Sequence, residues 1–203
     1  DGLHFRGGRE NEAAYLLDGI NVGDALWGDF NVDQMGELSI SSMETFTGTF
    51  APQYGEAMSG IVKISSLSEM STTPKFGFKT FTDQLGSDAI SHNTYGVEFV
   101  LASALPFYSN LGFVFSHRTY STDGYIYGYI YPEYVNSEGQ NKSGTPVEVP
   151  MQFNDTEFNF GKVIWQALPS LKISLGGFIS KANRGVYNHY FKYNPYGTPP
   201  VRL

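Results

Sequence analysis

The sequence contains no cysteine, and this absence removes a whole group of structures and chemistries. Without cysteine the chain has no disulfide framework, no zinc-thiolate or iron–sulfur site and no cysteine nucleophile. It also lacks any apolar run of the roughly 18 to 20 residues that a membrane-spanning helix needs. Spanning β-strands stay open as an alternative, because they need only about 9 to 11 residues of alternating character.

Positive charge is scarce in this chain. There are 13 Lys and Arg against 20 Asp and Glu, which gives a formal net charge of -7 at pH 7. The basic residues are scattered along the chain rather than clustered. Because such a chain would repel a phosphate backbone, we expect no nucleic acid among its partners.

Signatures of catalysis and of cofactor binding are missing as well. The sequence has no Walker A motif, no dinucleotide-binding fingerprint and no Gly-x-Ser-x-Gly elbow. The four histidines, His4, His92, His117 and His189, show no spacing that would form a compact metal set with carboxylates. We therefore expect no enzymatic activity, no catalytic residue, no cofactor and no metal site.

Aromatic residues and glycine are abundant, with 16 Phe, 14 Tyr and 23 Gly. The glycines lie among β-type residues, which favours strands over helices. A polar connector divides the chain into residues 1–66, residues 67–74 and residues 75–203. Residues 1–66 have short apolar stretches separated by Gly, Asn and Asp, which is typical of a small mixed domain with tight turns.

Longer alternating segments follow the connector and predict five antiparallel strands. They cover residues 76–83, 95–101, 111–118, 157–167 and 171–180. In the second segment Tyr95 and Phe99 share one face, while Glu98 lies on the other. Val100 and Val114 break the pattern because they are apolar residues on the polar face. The segment 157–167 alternates poorly.

The connections between these segments alternate in length. Short turns follow the second and fourth segments, at Pro106 and at residues 168–170, whereas a long connection, 125–153, follows the third. Short periplasmic turns and long extracellular loops are typical of outer-membrane β-barrels. The pattern favours a transmembrane barrel over a soluble sandwich.

The long connection contains a run of alternating tyrosines, Tyr125, Tyr127, Tyr129 and Tyr131. A period of two places all four on one face of a strand. We favour an aromatic belt or an upward extension of a strand over direct ligand contact. Ligand contact stays open as the second interpretation.

Motifs in the first 66 residues resemble the plug domain of bacterial TonB-dependent outer-membrane receptors. Residues 4–12 (HFRGGRENE) resemble the I-R-G-G-R element of that family, and residues 15–20 (YLLDGI) resemble V-D-G-V. Residues 42–46 (SMETF) are similar to I-E-x-V. Residues 48–64 (GTFAPQYGEAMSGIVKI) are similar to the segment that closes the plug, although Pro52-Gln53 replaces Ala-Glu and Lys63 replaces Asn.

The resemblance implies structural roles for a set of plug positions. They are Arg6, Gly7, Gly8, Asp18, Gly19, Glu44, Tyr54, Gly55, Ser59 and Gly60. Glycines there would permit positive φ or close backbone approach. Charges inside a barrel lumen must be paired or hydrated, so we expect Arg6, Arg9, Asp18 and Glu44 to fasten the plug to the barrel rather than contact substrate.

The family resemblance also implies a function and a location. It implies the later part of a plug followed by the first strands of a large barrel in the bacterial outer membrane. The receptor would capture a ligand at the cell surface, and the TonB complex of the inner membrane would drive its import. Outer-membrane lipid and a small-molecule, glycan or peptide ligand are the other expected partners. The motifs are closer to receptors with a carboxypeptidase-regulatory-like domain than to the SusC-like group.

A second hypothesis is a soluble or surface-anchored β-rich module that binds a ligand without transport. An enzyme is a more distant third. Five strands do not close a transporter barrel of about 22 strands. We therefore expect the chain to be part of a longer protein, with the signal peptide, the TonB-binding segment and most strands outside it.

Overall fold

The structure, a computed structural model, describes residues 5, 12–23, 34–47, 59–68, 70, 72–84, 91–130, 133–135 and 139–187. These residues form β-strands and turns, including a 3₁₀ turn at Glu37–Ser39. No helix among them is long and apolar enough to cross a membrane. The expected mostly-β fold class is confirmed.

The described residues form thirteen strands. In chain order they are β1 (Ala13–Leu17), β2 (Ile20–Asn21), β3 (Ile40–Phe46), β4 (Gly60–Ser66), β5 (Lys75–Thr82), β6 (Tyr95–Leu105), β7 (Tyr108–Thr122), β8 (Tyr127–Ile130), β9 (Glu133–Val135), β10 (Asn141–Ser143), β11 (Val147–Pro150), β12 (Asn154–Leu168) and β13 (Leu171–Arg184).

The strands before residue 67 form a four-stranded mixed sheet with the order β2-β1-β4-β3. Strand β1 runs parallel to β4, with Ala13 opposite Gly60 and Leu17 opposite Ile64. Strands β2 and β3 lie antiparallel to their neighbours. Every residue of β1 is buried, as is typical of a parallel strand that is covered on both faces.

A two-residue turn joins β1 to β2, and its sequence explains its shape. Asp18 and Gly19 both have positive φ, at 50° and 87°. A hairpin turn of this kind needs left-handed backbone at both central residues, and Asp-Gly is a preferred pair for it. The turn points the Asp18 carboxylate back toward the end of β4, where Ser66 N donates to it at 2.9 Å.

The strands after residue 74 form a five-stranded sheet with the order β13-β12-β7-β6-β5. Turns of two residues, at 106–107 and 169–170, join β6 to β7 and β12 to β13. Neighbouring strands joined by so short a turn must be antiparallel. Side-chain contacts of Ser121 with Asp155 and of His117 with Asn159 show that β7 and β12 are antiparallel too. All five predicted strands are therefore present.

The long connection after β7 is largely paired. Strand β8 pairs with β11, from Tyr127 opposite Pro150 to Ile130 opposite Val147. Strand β9 pairs with β10 inside it, with Val135 opposite Asn141. We call β8 to β11 the β-arm. The two nested antiparallel pairs make this connection a hairpin.

The chain divides into two compact units. Unit 1 comprises residues 1–78, 98–117 and 158–179, and unit 2 comprises residues 79–97, 118–157 and 180–203. Unit 1 contains the four-stranded sheet and the two short turns. Unit 2 contains the β-arm and the connection between β5 and β6.

The core of unit 1 is shared by the two sheets. From the four-stranded sheet it takes Ala13, Tyr15, Leu17, Val62 and Ile64, and from the five-stranded sheet Val100, Ala102, Val114, Phe158, Phe160 and Ile164. The two apparent exceptions to alternation, Val100 and Val114, are thus core residues. The alternation of 157–167 is regular in burial, because Phe158, Phe160 and Ile164 are buried while Val163 and Trp165 are not. It is obscure in sequence because Lys162 is a polar residue on the buried face, while Val163 and Trp165 are apolar residues on the exposed face.

We predict that Phe160→Ala destabilises the protein far more than Val163→Ala on the same strand. Phe160 is buried in the shared core, whereas Val163 is 49% exposed. Loss of a buried phenyl ring costs about 3–5 kcal/mol, and the exposed truncation should cost less than about 1 kcal/mol. Urea unfolding followed by tryptophan fluorescence measures both. Equal losses would contradict the assignment of the two faces.

Candidate functional site

A lysine of the five-stranded sheet is buried against the four-stranded sheet in unit 1. The Lys162 ammonium donates to Asp18 Oδ2 at 2.9 Å and to Ser66 Oγ at 2.8 Å. Lys162 is only 8% exposed, so its charge is stable there only because it is paired and hydrogen-bonded. These three residues, which we call the Lys162 cluster, link β12 to the end of β4 and to the β1–β2 turn.

The local fold holds the carboxylate of this cluster in place. Asp18 Oδ1 accepts from Ser66 N at 2.9 Å, and Asp18 Oδ2 accepts from Ser66 Oγ at 2.5 Å. Burial alone would raise the pKa of Asp18. The hydrogen bonds from Ser66 and Lys162 outweigh burial and hold the pKa below its ordinary value of 3.8. Asp18 is therefore a carboxylate at neutral pH and a counter-ion for Lys162.

A second buried carboxylate joins the same two parts of unit 1. Glu98 on β6 is 1% exposed, and its Oε1 accepts from Leu38 N at 2.5 Å. Leu38 lies in the 3₁₀ turn Glu37–Ser39. A side chain at Gly36 would collide with the Glu98 carboxylate, so glycine is needed for this close approach.

Sequence reasoning predicted Asp18 as a fastening residue, and it missed Lys162, Ser66 and Glu98. A signal for Lys162 existed, because it shares its strand face with Phe160 and Ile164. A lysine on a face that is otherwise apolar indicates a buried charge that needs a partner. The sequence pattern indicated that the face of β6 with Glu98 is polar. The burial of Glu98 was therefore not predictable from β6 alone.

The other predicted plug positions fall in different places. Arg6, Gly7, Gly8, Tyr54 and Gly55 lie outside the described residues, as does Arg9. Glu44 pairs with Lys63 of the neighbouring strand at 3.7 Å, and both side chains are exposed. Gly60 lies against the ring of Phe5, where a larger residue would collide, and Ser59 N donates to Glu12 O at 3.0 Å.

The predicted tyrosines lie at the start of the β-arm. Tyr125 is exposed, and its ring meets His92 edge-on at 5.4 Å between ring centroids. Tyr127 and Tyr129 share one face of β8, whereas Gly128 packs on Met151 on the other. Burial, and then the negative charges of Asp123 and Glu148, raise the pKa of the Tyr127 phenol. Tyr131 lies outside the described residues.

An aspartate at the end of β5 orders the connection that precedes β6. Asp83 accepts from His92 N and Thr94 N, each at 2.8 Å, and from Ser91 Oγ at 3.2 Å. The bond from His92 N contributes most to a pKa of Asp83 below its ordinary value, against the opposing effect of burial. Within the described ranges, no group of three or more His, Asp and Glu is placed to hold a metal ion.

Comparison with known proteins shows a receptor-like fold. No protein-family model matches the sequence, and no curated protein matches it. Among solved structures, the fold is similar to that of a ferric enterobactin receptor from Pseudomonas aeruginosa in complex with enterobactin. The TM-score is 0.57 and the identity 15%, over 94% of this chain and 29% of the receptor chain. The chain therefore spans less than a third of the length of that receptor.

We predict that Asp18→Asn and Lys162→Met each lower the free energy of unfolding by about 1–3 kcal/mol, because each leaves a buried polar partner unsatisfied. The double variant should lose less than the sum of the two. Glu44→Gln and Lys63→Met are the matched controls, because that exposed pair should contribute less than about 1 kcal/mol. Additive losses in the Asp18–Lys162 cycle would show that the pair is not coupled.

The contribution of the Asp18–Lys162 pair to the free energy of unfolding should depend on pH. The folded pKa of Asp18 lies below 3.8, so its stabilising contribution is complete above that value. It is lost as the pH falls through the folded pKa. Urea unfolding between neutral and strongly acidic pH should show this loss in the wild type. The Asp18→Asn/Lys162→Met double variant should lack that component.

Proposed function

We propose that the chain is part of a TonB-dependent receptor that imports a ligand across the bacterial outer membrane. Residues 1–66 are the later part of the plug, residues 67–74 the connector and residues 75–203 the first strands of the barrel. The observation that carries this proposal is the apolar character of both faces of the five-stranded sheet. The four-stranded sheet covers one face, and large apolar side chains remain exposed on the other.

The exposed face has the composition expected of a surface in contact with lipid. Within unit 1 it carries Leu101, Phe115, Val163, Trp165, Leu171, Ile173, Leu175 and Ile179. The residues on β6, β7 and β12 alternate with buried core residues, and those on β13 occupy alternate positions of an exposed strand. A contiguous apolar surface of this kind favours aggregation in water. It is the normal exterior of a membrane barrel.

The contacts between the two sheets suit a plug that must move. The Lys162 cluster and the Glu98–Leu38 hydrogen bond are polar contacts within an otherwise apolar core. When they separate, water can solvate the charges again, which lowers the net cost of separation relative to an all-apolar interface. We infer that TonB-driven import breaks these contacts reversibly.

The ligand would be recognised at the end of the barrel that carries the long connections. Tyr125, Tyr127 and Tyr129 are exposed; an aromatic belt or a strand extension is their favoured role, and contact with the ligand is the second. The similar receptor was solved in complex with enterobactin, which supports a small-molecule ligand for this chain. Glycan and peptide ligands are the alternatives.

Single cysteines test the topology, because the chain has no cysteine of its own. We predict that a membrane-impermeant maleimide labels Tyr129→Cys on intact cells. Phe107→Cys, in the short turn between β6 and β7, should be labelled only after the outer membrane is permeabilised, although Phe107 is fully accessible in the fold. Labelling of both variants on intact cells would contradict a spanning barrel and favour the surface-anchored module.

A second cysteine pair tests energised import. Val62 is fully buried in the shared core, and Thr45 lies opposite it on the exposed strand β3. We predict that Val62→Cys is labelled faster in TonB-competent cells than in cells that lack TonB, because the plug must leave the barrel strands to expose it. Thr45→Cys should be labelled equally in both strains. If Val62→Cys were labelled at the same rate in both strains, the TonB-driven movement of the plug would be contradicted, and only the receptor-like fold would stand.

A further inference from the structure

Unit 2 contains a pocket of about 600 Å³ that the proposed import function does not use. The volume is in the range of small-molecule sites. The described residues that line the pocket come from β6, β12 and β13, from β7 and the residue after it, and from the connection between β5 and β6. All of them belong to unit 2. The pocket is therefore a feature of one compact unit.

Negative charge predominates in the lining of this pocket. Among the described lining residues, Asp123, Asp155 and Glu157 are carboxylates, and Lys181 is the one cation. A net negative lining repels an anion and attracts a cation, and the attraction is stronger in a cavity than in open water. The charge of the pocket therefore favours a cationic ligand.

The three carboxylates form a row along the strands rather than a compact group. Asp155 and Glu157 lie two residues apart on β12, about 7 Å along the strand. Ser121 Oγ donates to Asp155 Oδ1 at 2.6 Å, and Asp123 lies two residues beyond Ser121. Because β7 and β12 are antiparallel, Asp123 extends the row on the side of Asp155 away from Glu157.

The spacing of this carboxylate row disfavours a metal ion. A bound calcium or magnesium ion needs several oxygen ligands, each at about 2.0–2.6 Å from one point. In the described part of the chain, no three His, Asp or Glu side chains are placed in that way. A ligand with several ammonium groups along a chain matches separated carboxylates better, because each ammonium meets its own counter-charge.

Neutral donors orient two carboxylates of the row. Asn93 Nδ2 donates to Asp123 Oδ2, and Ser121 Oγ donates to Asp155 Oδ1, both at 2.6 Å. Asp123 and Ser121 are buried, so these bonds fix side chains in the wall of the pocket. Neither donor carries a charge. The hydrogen bonds therefore hold the carboxylates in place without neutralising them.

The remaining groups of the pocket also suit an organic cation. Glu157 forms an ion pair with Lys181 at 3.7 Å, and both side chains are exposed. An exposed pair of this kind contributes little, so an ammonium of a ligand can replace Lys181 at Glu157. Tyr95 is 49% exposed and offers a ring face on which an ammonium packs. The ring favours an organic cation independently of the carboxylates.

We propose that this pocket binds a linear polyamine, a chain of ammonium groups joined by short methylene segments. One ammonium replaces Lys181 at Glu157, and a second bonds to Asp155. The chain packs on the ring of Tyr95, and Asp123 adds its negative charge at the far end of the row. The proposal goes beyond the proposed function and does not depend on it, because binding to unit 2 requires neither import nor a membrane location.

The probe is spermidine, titrated by calorimetry into the protein purified in mild detergent at low salt. We expect Asp155→Asn and Glu157→Gln each to weaken binding about tenfold, the effect of losing one charged acceptor. Tyr95→Ala should weaken it about threefold. Glu148→Gln is the matched control, because Glu148 is an exposed carboxylate of β11 that does not line the pocket. It should bind like the wild type.

Lys181→Met tests the proposal in the opposite direction. The variant removes the competitor for Glu157, so spermidine should bind about threefold more tightly. Because Lys181 is exposed, this variant should fold like the wild type. Weaker binding of spermidine to Lys181→Met would contradict a cationic ligand and overturn the proposal.

Three other titrations decide the ligand class. Butylamine has one ammonium and should bind far more weakly than spermidine, and equal binding would overturn the proposal. If calcium chloride binds as tightly as spermidine and with the same dependence on Asp155 and Glu157, the pocket is a metal site and the proposal is overturned. If an oligolysine peptide binds more tightly with that dependence, the partner is a cationic protein segment and the proposal is again overturned.

Non-specific attraction to acidic surface is the remaining outcome. If Glu148→Gln weakens spermidine binding as much as Glu157→Gln does, the pocket has no special role and the proposal is overturned. The cysteine labelling experiments report separately on topology and import, so a failure of the proposed function is distinguishable from a failure of this proposal.

Discussion

The rest of the structure depends on one constraint, the burial of an apolar sheet face by a second sheet. The five-stranded sheet has apolar residues on both faces, and Val100, Val114 and Phe160 are out of water only because the four-stranded sheet covers them. Burial of a side chain of this size contributes about 1.5–3 kcal/mol. On the opposite face, the described residues of unit 1 include large apolar side chains that are exposed, which agrees with the lipid contact of the proposed receptor.

Polar contacts within this core make the interface between the two sheets specific, which apolar contacts alone would not. Lys162 is buried, and its ammonium donates to both Asp18 and Ser66. An apolar interface alone tolerates small slips, whereas a misplaced buried charge costs several kcal/mol. The same polarity makes the interface separable, because its charges regain hydration when the sheets part. In the proposed receptor, the same residues would give both specific docking and reversible release.

The two ends of the five-stranded sheet differ in their connections, and the proposed functions follow that difference. The short turns each place a proline at their first position, where its fixed φ favours a tight reversal. The longer connections belong to unit 2, which contains the β-arm with its tyrosines and the connection ordered by Asp83.

The sequence by itself determined the five strands and their short turns, because period-two patterns and turn chemistry act between residues that are close along the chain. It also pointed to Asp18. Only the tertiary structure decided which apolar face is internal, why Val100 and Val114 break the alternation, and that Lys162 meets Asp18 across 144 positions. The roles of Arg6, Gly7, Gly8, Tyr54 and Gly55 stay predictions. Local periodicity shows on which face of a strand a side chain lies. The partner that covers that face is set by packing between segments far apart in sequence.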